Sequence, residues 1–320
     1  MDAKTTPQRR IFVTGGTGMI GAALVRRLVG EGDRVTLMVR PQSSRLRLQG
    51  IEDRLQFLTA DITDAAAVRS AVAQADPEVV YHLASTSFNP PSTTAQTHLG
   101  VIAMGAVNLL EALVGRSAVR LVSTGSVFEY GAGSGLREEQ PPAPDTVLGA
   151  AKASATLLMQ AYAHVHKLET VVLRVFTPYG PWERPGRLIP LTILSALAGQ
   201  DVRMSSGTQQ RDYFYIDDLV EALRLAAVRP VPPGTVLNVC SGRGVPIREV
   251  VELTLRLMGH PVKALVGALP SRPDEIWESS GDNTLAKRLL GWEPRITLER
   301  GLEETITWFS EHRELASHLT

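Results

Sequence analysis

The sequence has a single cysteine, Cys240, so it forms no internal disulfide and offers no CxxC pair for zinc or redox chemistry. This favours a reducing compartment, and we expect the cytoplasm. Neither sign of charge is in excess, because 33 basic residues balance 33 acidic residues. Nucleic acids and anionic membranes are held by surplus Lys and Arg, so neither is an expected partner.

Long apolar runs are also lacking. The longest, at 101–115, is interrupted and too short to cross a bilayer. Residues 1–9 are polar, so we expect a flexible tail there and not a signal peptide. Aromatic residues make up only 5%, yet hydrophobic residues reach 44%, as in globular proteins. A length of 320 residues then predicts two domains, or one large sheet with an appendage.

Short β-branched runs alternate with segments of helical period along the chain. We predict strands at 11–14, 35–39, 55–58, 79–84, 119–124, 171–176 and 236–240, and helices at 18–30, 65–75, 95–113, 149–167 and 246–259. This alternation is typical of parallel βαβ units, so the α/β class with a Rossmann-type doubly wound sheet is expected. After Phe176 the chain becomes rich in Pro and Gly, which indicates a second lobe. We assign 10–176 plus about 212–240 to the sheet domain, and about 177–211 plus 241–320 to a smaller C-terminal domain.

The first predicted strand leads directly into the sequence GGTGMIG. Gly15 allows a tight turn, Gly18 lets a pyrophosphate approach the helix N-terminus, and Gly21 lets helix and strand pack closely. A glycine-rich string between a strand and a helix predicts a dinucleotide site. We assign to the same site the neighbouring residues Thr17, Met19 and Ile20.

The end of the second strand bears on the choice of cofactor. An acidic residue there binds the ribose of NAD, but here the strand ends at Arg40, with Arg45 close behind. Guanidinium groups bind a 2′-phosphate, so NADP(H) is favoured, while NAD(H) stays possible. The alternative is that both arginines are solvated. Following the third and fourth strands, the expected cofactor contacts are Asp61, Ile62, Leu83 and Ala84.

A set of motifs carries a family resemblance: TGGTGMIG, TADITD, YHLAS, NLLEAL, VSTGSV, AAKAS, RVFTPYGP, RDYFYIDDL and LGWEP. Over about residues 10–310 the chain resembles the extended short-chain dehydrogenases/reductases, in their nucleotide-sugar epimerase, dehydratase and ketoreductase group. The resemblance implies an NAD(P)-binding Rossmann domain and a C-terminal domain for a nucleoside-diphosphate sugar. It also implies a homodimer formed through helices at about 97–114 and 149–167.

The family's catalytic set is incomplete. The resemblance implies that Thr124 binds the substrate oxygen and that Lys152 binds the nicotinamide ribose. However, Leu148 stands four residues before Lys152, where the family has Tyr, and Ile102 stands where it has Asn.

Three explanations of this departure remain open. Catalysis has been lost and a binding protein remains; another acid has replaced the tyrosine; or Thr124 or a water held by Lys152 supplies the proton. The candidate acids are Ser126, Tyr130, Glu129, Tyr179 and His82, of which Ser126 and Tyr130 join Thr124 and Lys152 as our expected catalytic residues.

The second lobe keeps more of the family pattern. Arg211 and Arg272 match the two arginines that grip the diphosphate of a nucleotide sugar, and guanidinium forks suit that task. Asp217 and Asp218 are expected to cap the following helix. Other expected substrate contacts are Ser85, Thr177 and Arg187, although loop arginines such as Arg184 and Arg187 are also often solvated.

NADPH drives net reduction, whereas epimerases and dehydratases return the hydride they take. The missing acid at Arg40 therefore favours a ketoreductase for an NDP-4-keto-6-deoxyhexose. The alternatives are an NDP-sugar C4 epimerase and a catalytically silent nucleotide-sugar-binding protein.

Overall fold

The computed structural model describes residues 8–86, 93–116, 118–272 and 275–319. The strands, in chain order, are β1 (Arg10–Thr14), β2 (Arg34–Val39), β3 (Leu55–Thr59), β4 (Val79–His82), β5 (Arg120–Ser126), β6 (Gly133–Leu136), β7 (Glu169–Val175), β8 (Thr177–Tyr179), β9 (Val202–Arg203), β10 (Gln210–Arg211), β11 (Tyr213–Tyr215), β12 (Thr235–Val239), β13 (Val245–Pro246), β14 (Ala264–Leu265) and β15 (Ser279–Gly281). Seven of them form one sheet in the order β12-β7-β5-β4-β1-β2-β3. Since β1 pairs in parallel with both β2 and β4, the strand order reverses beside β1, where doubly wound sheets bind ligands. The predicted fold class is confirmed.

The helices are α1 (Met19–Gly30), α2 (Ala65–Ala75), α3 (Ala95–His98), α4 (Gly105–Leu113), α5 (Val147–His166), α6 (Leu188–Leu197), α7 (Ile216–Val228), α8 (Ile247–Leu257), α9 (Thr284–Leu290), α10 (Leu298–Glu311) and α11 (Arg313–Ser317). The helix predicted at 95–113 is interrupted, because residues Leu99–Met104 form a π-helical turn between α3 and α4. In the part of the chain that the structure describes, no helix is long and apolar enough to cross a membrane.

Burial explains why the predicted strands form. Ile11, Phe12 and Val13 of β1 are almost wholly buried, as expected of a central parallel strand covered on both faces. In α1, Leu24 and Leu28 lie one turn apart and are both fully buried, so one face of this helix is apolar.

The chain divides into two compact units. The first comprises 1–129, 146–173 and 223–236, and the second comprises 130–145, 174–222 and 237–320. The division differs from the expected boundaries. Residues 130–145, 174–176, 212–222 and 237–240, all expected in the sheet domain, cluster with the second unit, in which β6 pairs with β15. Arg9, expected in the flexible tail, is anchored, because its Nη2 atom lies 2.6 Å from Asp33 Oδ2.

The expected capping role of Asp218 is not what the structure shows. Its two carboxylate oxygens accept hydrogen bonds from the backbone N–H groups of Arg295 and Ile296, at 3.0 and 3.1 Å. Its backbone oxygen accepts from the indole of the buried Trp292, at 2.8 Å. Asp218 therefore fastens the loop before α10 onto α7.

A second buried carboxylate, Asp212, joins three segments of the second unit. One oxygen accepts from the backbone and hydroxyl of Ser241, both at 2.6 Å, and the other accepts from the N–H groups of Gly242 and Gly281 at 3.1 and 3.2 Å. Burial raises the pKa of Asp212 to about 6, while these four hydrogen bonds oppose the shift. Both oxygens are acceptors only.

Replacing Asp212 by Asn is expected to lower the free energy of unfolding by about 2–4 kcal/mol, because the new amide nitrogen cannot accept from the two N–H groups it would face. Asp201→Asn is the matched control: Asp201 is exposed and accepts one bond, from the Lys263 backbone at 2.8 Å, which an amide oxygen retains. Urea denaturation measures both variants. An equal loss of stability would contradict the assigned role.

Candidate active site

The turn between β1 and α1 has space for glycine only at two of its positions. A Cβ atom on Gly15 would lie 2.5 Å from the Ala84 nitrogen, and one on Gly21 would lie 2.2 Å from the Gly15 oxygen. Gly15 also has a φ of +73°, a conformation that side chains disfavour. A Cβ on Gly18 would meet only the Gly15 oxygen, at 3.5 Å, so this position is open. Gly15 and Gly21 thus serve the tight turn and the close packing expected of them, and Gly18 leaves open the space that a pyrophosphate would need.

The N-terminus of α1 faces this open position. Gly18 is the N-cap and has no side chain that could accept a hydrogen bond from the helix, and no acidic residue stands in the first turn. The first N–H groups of a helix have no intrahelical acceptor, so those of Met19, Ile20 and Gly21 remain for a ligand. A helix N-terminus without a carboxylate beside it suits an anion, and the cradle therefore fits the pyrophosphate of a dinucleotide. Thr17, within the same turn, is partly exposed.

The ends of neighbouring strands in the first unit bring further expected cofactor residues to this edge. Hydrogen bonds from the Thr63 backbone and hydroxyl hold the pKa of Asp61 below its usual value, and the charge of Arg40 adds to the effect. Arg40 is exposed directly after β2, whereas the Arg45 guanidinium lies 3.9 Å from the ring centre of Phe57. Of the two arginines, Arg45 thus stacks on an aromatic ring, whereas Arg40 is exposed to solvent.

Ile62 and the residues that follow β4 present apolar side chains or backbone, not charged groups, at this edge. Ile62 is buried and would lie 2.8 Å from a Cβ on Gly105, so its side chain packs against α4. Leu83 and Ala84 contact the Gly15 turn through their backbone. Ser85, an expected substrate contact, is exposed and donates to the Thr86 oxygen at 3.0 Å. The residues that follow it, 87–92, lie outside the described part of the chain.

Lys152 and Thr124, which are both expected catalytic residues, are in contact. The Lys152 ammonium donates to the Thr124 backbone oxygen at 2.9 Å. Burial lowers the pKa of Lys152 to about 8, and the charge of buried Glu129 opposes this shift. Glu129 also accepts from the Ser126 N–H at 2.8 Å, and Ser126 Oγ accepts from the Phe128 N–H at 3.2 Å. The Thr124 hydroxyl makes no hydrogen bond within the described residues.

The two positions at which the chain departs from its family share one apolar cluster. Leu148 is 7% exposed and Ile102 is 2% exposed, and both belong to the core that includes Ala151 and Met159. The tyrosine and asparagine have therefore been replaced by side chains that extend the core of the first unit.

Three of the alternative acids make hydrogen bonds with other parts of the protein. His82 Nδ1 lies 2.8 Å from Thr14 Oγ1, and burial, together with the charge of Lys152, lowers the pKa of His82 to about 3. The Tyr130 hydroxyl donates to Asn238 at 2.8 Å, and burial raises its pKa to about 12. The Tyr179 hydroxyl donates to the Leu298 oxygen at 3.0 Å, and burial raises its pKa as well. None of these groups is poised to give up a proton near neutral pH.

Arg211, in the second unit, is held by three acceptors. Its Nη2 atom lies 2.6 Å from Glu275 Oε1, and Nη1 donates to the Ile276 and Gln210 oxygens at 2.6 and 2.8 Å. This leaves the Nε side of the guanidinium for a ligand. Arg272 is exposed, and its backbone oxygen accepts from the Glu275 N–H at 3.3 Å, so Arg272 lies next in the chain to the two residues, Glu275 and Ile276, that hold Arg211.

Arg187 is paired with a residue that sequence reasoning missed. Its Nε atom lies 3.2 Å from Glu183 Oε1; the Glu183 side chain is 9% exposed, and that of Arg187 is 47% exposed. Burial raises the pKa of Glu183 to about 7, and the charges of Arg187 and Arg184 oppose this. The spacing of four residues indicates such a pair on a helix, but no feature of the sequence indicates that the carboxylate is buried.

Tyr213 is a buried titratable group of the second unit. Burial raises the pKa of its phenol, the charges of Arg187 and Arg211 oppose that shift, and the charge of Glu183 adds to it. Thr177, another expected substrate contact, is half-buried at the start of β8 and pairs with Tyr213 of β11. In the described residues, no group of three His, Cys, Asp or Glu side chains is placed to hold a metal ion.

The fold and the glycine turn define a Rossmann-type protein with a site for a dinucleotide. The chain belongs to the NAD dependent epimerase/dehydratase family, whose sequence model matches residues 11–240. The expectation of an NAD(P)-dependent enzyme from this family is confirmed.

Related sequences and solved structures match this chain over nearly its whole length. The dTDP-glucose 4,6-dehydratase of Streptomyces niveus is 32% identical, covering 95% of this chain and 94% of the relative. The UDP-glucose 4-epimerase of Thermotoga maritima, solved with UDP-glucose, is 27% identical with a TM-score of 0.88, covering 95% of this chain and 99% of the other. The dTDP-glucose 4,6-dehydratase of Bacillus anthracis, solved with NAD, is 25% identical with a TM-score of 0.87, covering 97% and 99%.

Gly21→Ala is expected to weaken NAD(P)H binding at least about tenfold, because a Cβ 2.2 Å from the Gly15 oxygen must push α1 away from β1. Gly30→Ala is the control in the same helix, since a Cβ there meets nothing within 4 Å. Cofactor fluorescence titration gives both dissociation constants. Unchanged binding in Gly21→Ala would rule out the proposed cradle.

Proposed function

We propose that the chain is an NADP-dependent ketoreductase of a nucleoside-diphosphate 4-keto-6-deoxyhexose. The observation that carries the proposal is Arg40, an exposed cation at the end of β2, where an NAD-binding sheet has a carboxylate. An arginine at that point binds a 2′-phosphate and favours NADP. Cells keep NADPH largely reduced, so a preference for it favours net reduction of a ketone.

The chain's own residues then have simple tasks. The bound cofactor supplies a hydride to the carbonyl carbon, and the carbonyl oxygen must gain a proton. The free hydroxyl of Thr124 donates a hydrogen bond to that oxygen. Lys152, whose pKa burial lowers to about 8, supplies the proton, directly or through a water it holds, and takes it back from solvent.

The missing tyrosine bears on the direction of the reaction. Epimerisation starts from an alcohol, so a base must remove a hydroxyl proton as the hydride leaves. Leu148 cannot act as that base, so Lys152 would have to do so. With a pKa of about 8, Lys152 is mostly protonated at neutral pH, the state that gives a proton to a ketone oxygen and not the state that takes one from an alcohol. At neutral pH this incomplete set is therefore mainly in the protonation state that reduction requires.

The substrate class rests on the second unit and on the relatives. Arg211 keeps the Nε side of its guanidinium for a ligand, and Arg272 and Arg187 are both exposed. Guanidinium forks match a diphosphate. Relatives that bear the names of dTDP-glucose and UDP-glucose enzymes support a nucleotide sugar as the ligand.

A C4 epimerase is the second candidate, favoured by the likeness to the Thermotoga UDP-glucose 4-epimerase. A silent binding protein is the third. These three functions differ in what they do to NADPH in the presence of a ketosugar.

We also propose that the protein forms a homodimer through the helices around α4 and α5. Leu99 and Met104 beside α4 are 44% and 53% exposed, and Leu157 and Val165 on α5 are 54% and 66% exposed. Large apolar side chains in a row on two adjacent helices suit a four-helix contact with a second copy.

For the cofactor, NADPH is expected to bind more tightly than NADH by about 1.5–3 kcal/mol, the range for a hydrogen bond to a charged group. Arg40→Ala should remove most of this preference. Arg34→Ala is the control, because Arg34 is exposed at the opposite end of β2. Calorimetry that gives equal dissociation constants for the two cofactors in the wild type would contradict NADP selectivity.

For the reaction, the ketosugar should oxidise NADPH in a one-to-one ratio, and Thr124→Val should abolish turnover while NADPH still binds. The rate should fall as pH rises through about 8, because Lys152 loses its proton there. Product analysis separates the candidates: turnover without loss of NADPH indicates an epimerase, and binding of both ligands without turnover indicates a silent protein.

A further inference from the structure

Glu183 is the buried carboxylate that neither the sequence motifs nor the proposed reaction uses. Within the described residues, the one hydrogen-bond partner of its side chain is Arg187, whose Nε atom donates to Oε1 at 3.2 Å. The carboxylate is nearly enclosed, whereas almost half of the Arg187 side chain is exposed. Because Nε faces inward, both terminal nitrogens of the guanidinium stay available for a ligand.

We propose that Glu183 is a positioning residue, which anchors Arg187 from within and sets how strongly this arginine binds the diphosphate of the substrate as pH changes. The inference rests on the proposed function, in which Arg187 contacts a nucleotide sugar. An anchored guanidinium loses less side-chain freedom when it binds, so removing the anchor weakens binding.

The charge of Glu183 acts in the opposite sense to its anchoring. When ionised, it neutralises Arg187 and reduces the pull on an anion; when protonated, its carbonyl oxygen still accepts the Nε hydrogen bond but leaves the arginine's charge uncompensated. Burial raises the pKa of Glu183 to about 7, so the change falls within the neutral range. The other charged or titratable groups that act around it are Arg184 and Arg187 on its own loop and Tyr213 on β11.

The test is calorimetric titration with UDP-glucose or dTDP-glucose, whichever binds the wild type more tightly, at about pH 6 and pH 8. The diphosphate of such a sugar does not titrate in this range. We expect wild-type affinity to fall roughly two- to fivefold at the higher pH, as for a partly exposed charge pair. Glu183→Gln keeps an acceptor for Nε, so it should bind at both pH values as the wild type does at pH 6.

Glu183→Leu removes the anchor and should bind roughly tenfold more weakly than Glu183→Gln at both pH values, with NADPH affinity unchanged. Glu252→Gln is the matched control, because Glu252 also pairs through Oε1 with an arginine Nε four residues away, at 2.6 Å, but is exposed on α8. It should keep the pH dependence of the wild type.

Two results would overturn the inference alone: a Glu183→Gln variant that keeps the wild-type pH dependence, or a folded Glu183→Leu variant that binds as tightly as Glu183→Gln. Should Glu183→Leu fail to fold, the pH profile of Glu183→Gln decides. Failure of the wild type to bind either nucleotide sugar at both pH values would overturn the proposed function, and the inference with it.

Discussion

The close approach of α1 to β1 is the constraint on which the dinucleotide site depends. It exists because Gly21 and Gly15 carry no side chain at a point where a Cβ would lie 2.2 Å from a backbone oxygen. With the helix this close, its first N–H groups, which have no intrahelical acceptor, reach the edge of the sheet beside β1, where the strand order reverses. Arg40 and Asp61 follow β2 and β3, the next two strands of the same sheet, so these expected cofactor residues lie along the same edge as the turn.

Loss of the family tyrosine changes the demands on Lys152. Leu148 and Ile102 enlarge the apolar core of the first unit, and an apolar environment disfavours a charged ammonium. Burial lowers the pKa of Lys152 to about 8, and the charge of Glu129 opposes this shift. In the proposed reduction, Lys152 would therefore take over the acid role that the family gives to the tyrosine.

The sequence predicted the sheet and the glycine turn because both depend on local patterns: buried β-branched runs make strands, and GxxGxxG has a fixed place between a strand and a helix. The family resemblance also put Lys152 and Thr124 in one catalytic set. The sequence could not predict the carboxylate that holds Arg211, or the use of Asp218 to fasten residues 295–296, because these contacts join positions about 64 and 77 residues apart. Periodicity and motif spacing carry no information about such partners.

Asp212 and Glu183 are two buried carboxylates of the second unit that differ in their hydrogen-bond partners. In both, the folded pKa lies above the usual value, so ionisation opposes folding, and stability is lost as pH rises from about 4 to about 7. Asp212 offsets that cost with four hydrogen bonds, which occupy both oxygens and join three segments. Among the described residues, the Glu183 side chain has one hydrogen-bond partner, Arg187, and that partner reaches the surface. The hydrogen bonds of Asp212 all lie within the fold, so its ionisation bears on stability. The ionisation of Glu183 also changes the net charge that a half-exposed arginine presents, so in the proposed arrangement it bears on binding as well.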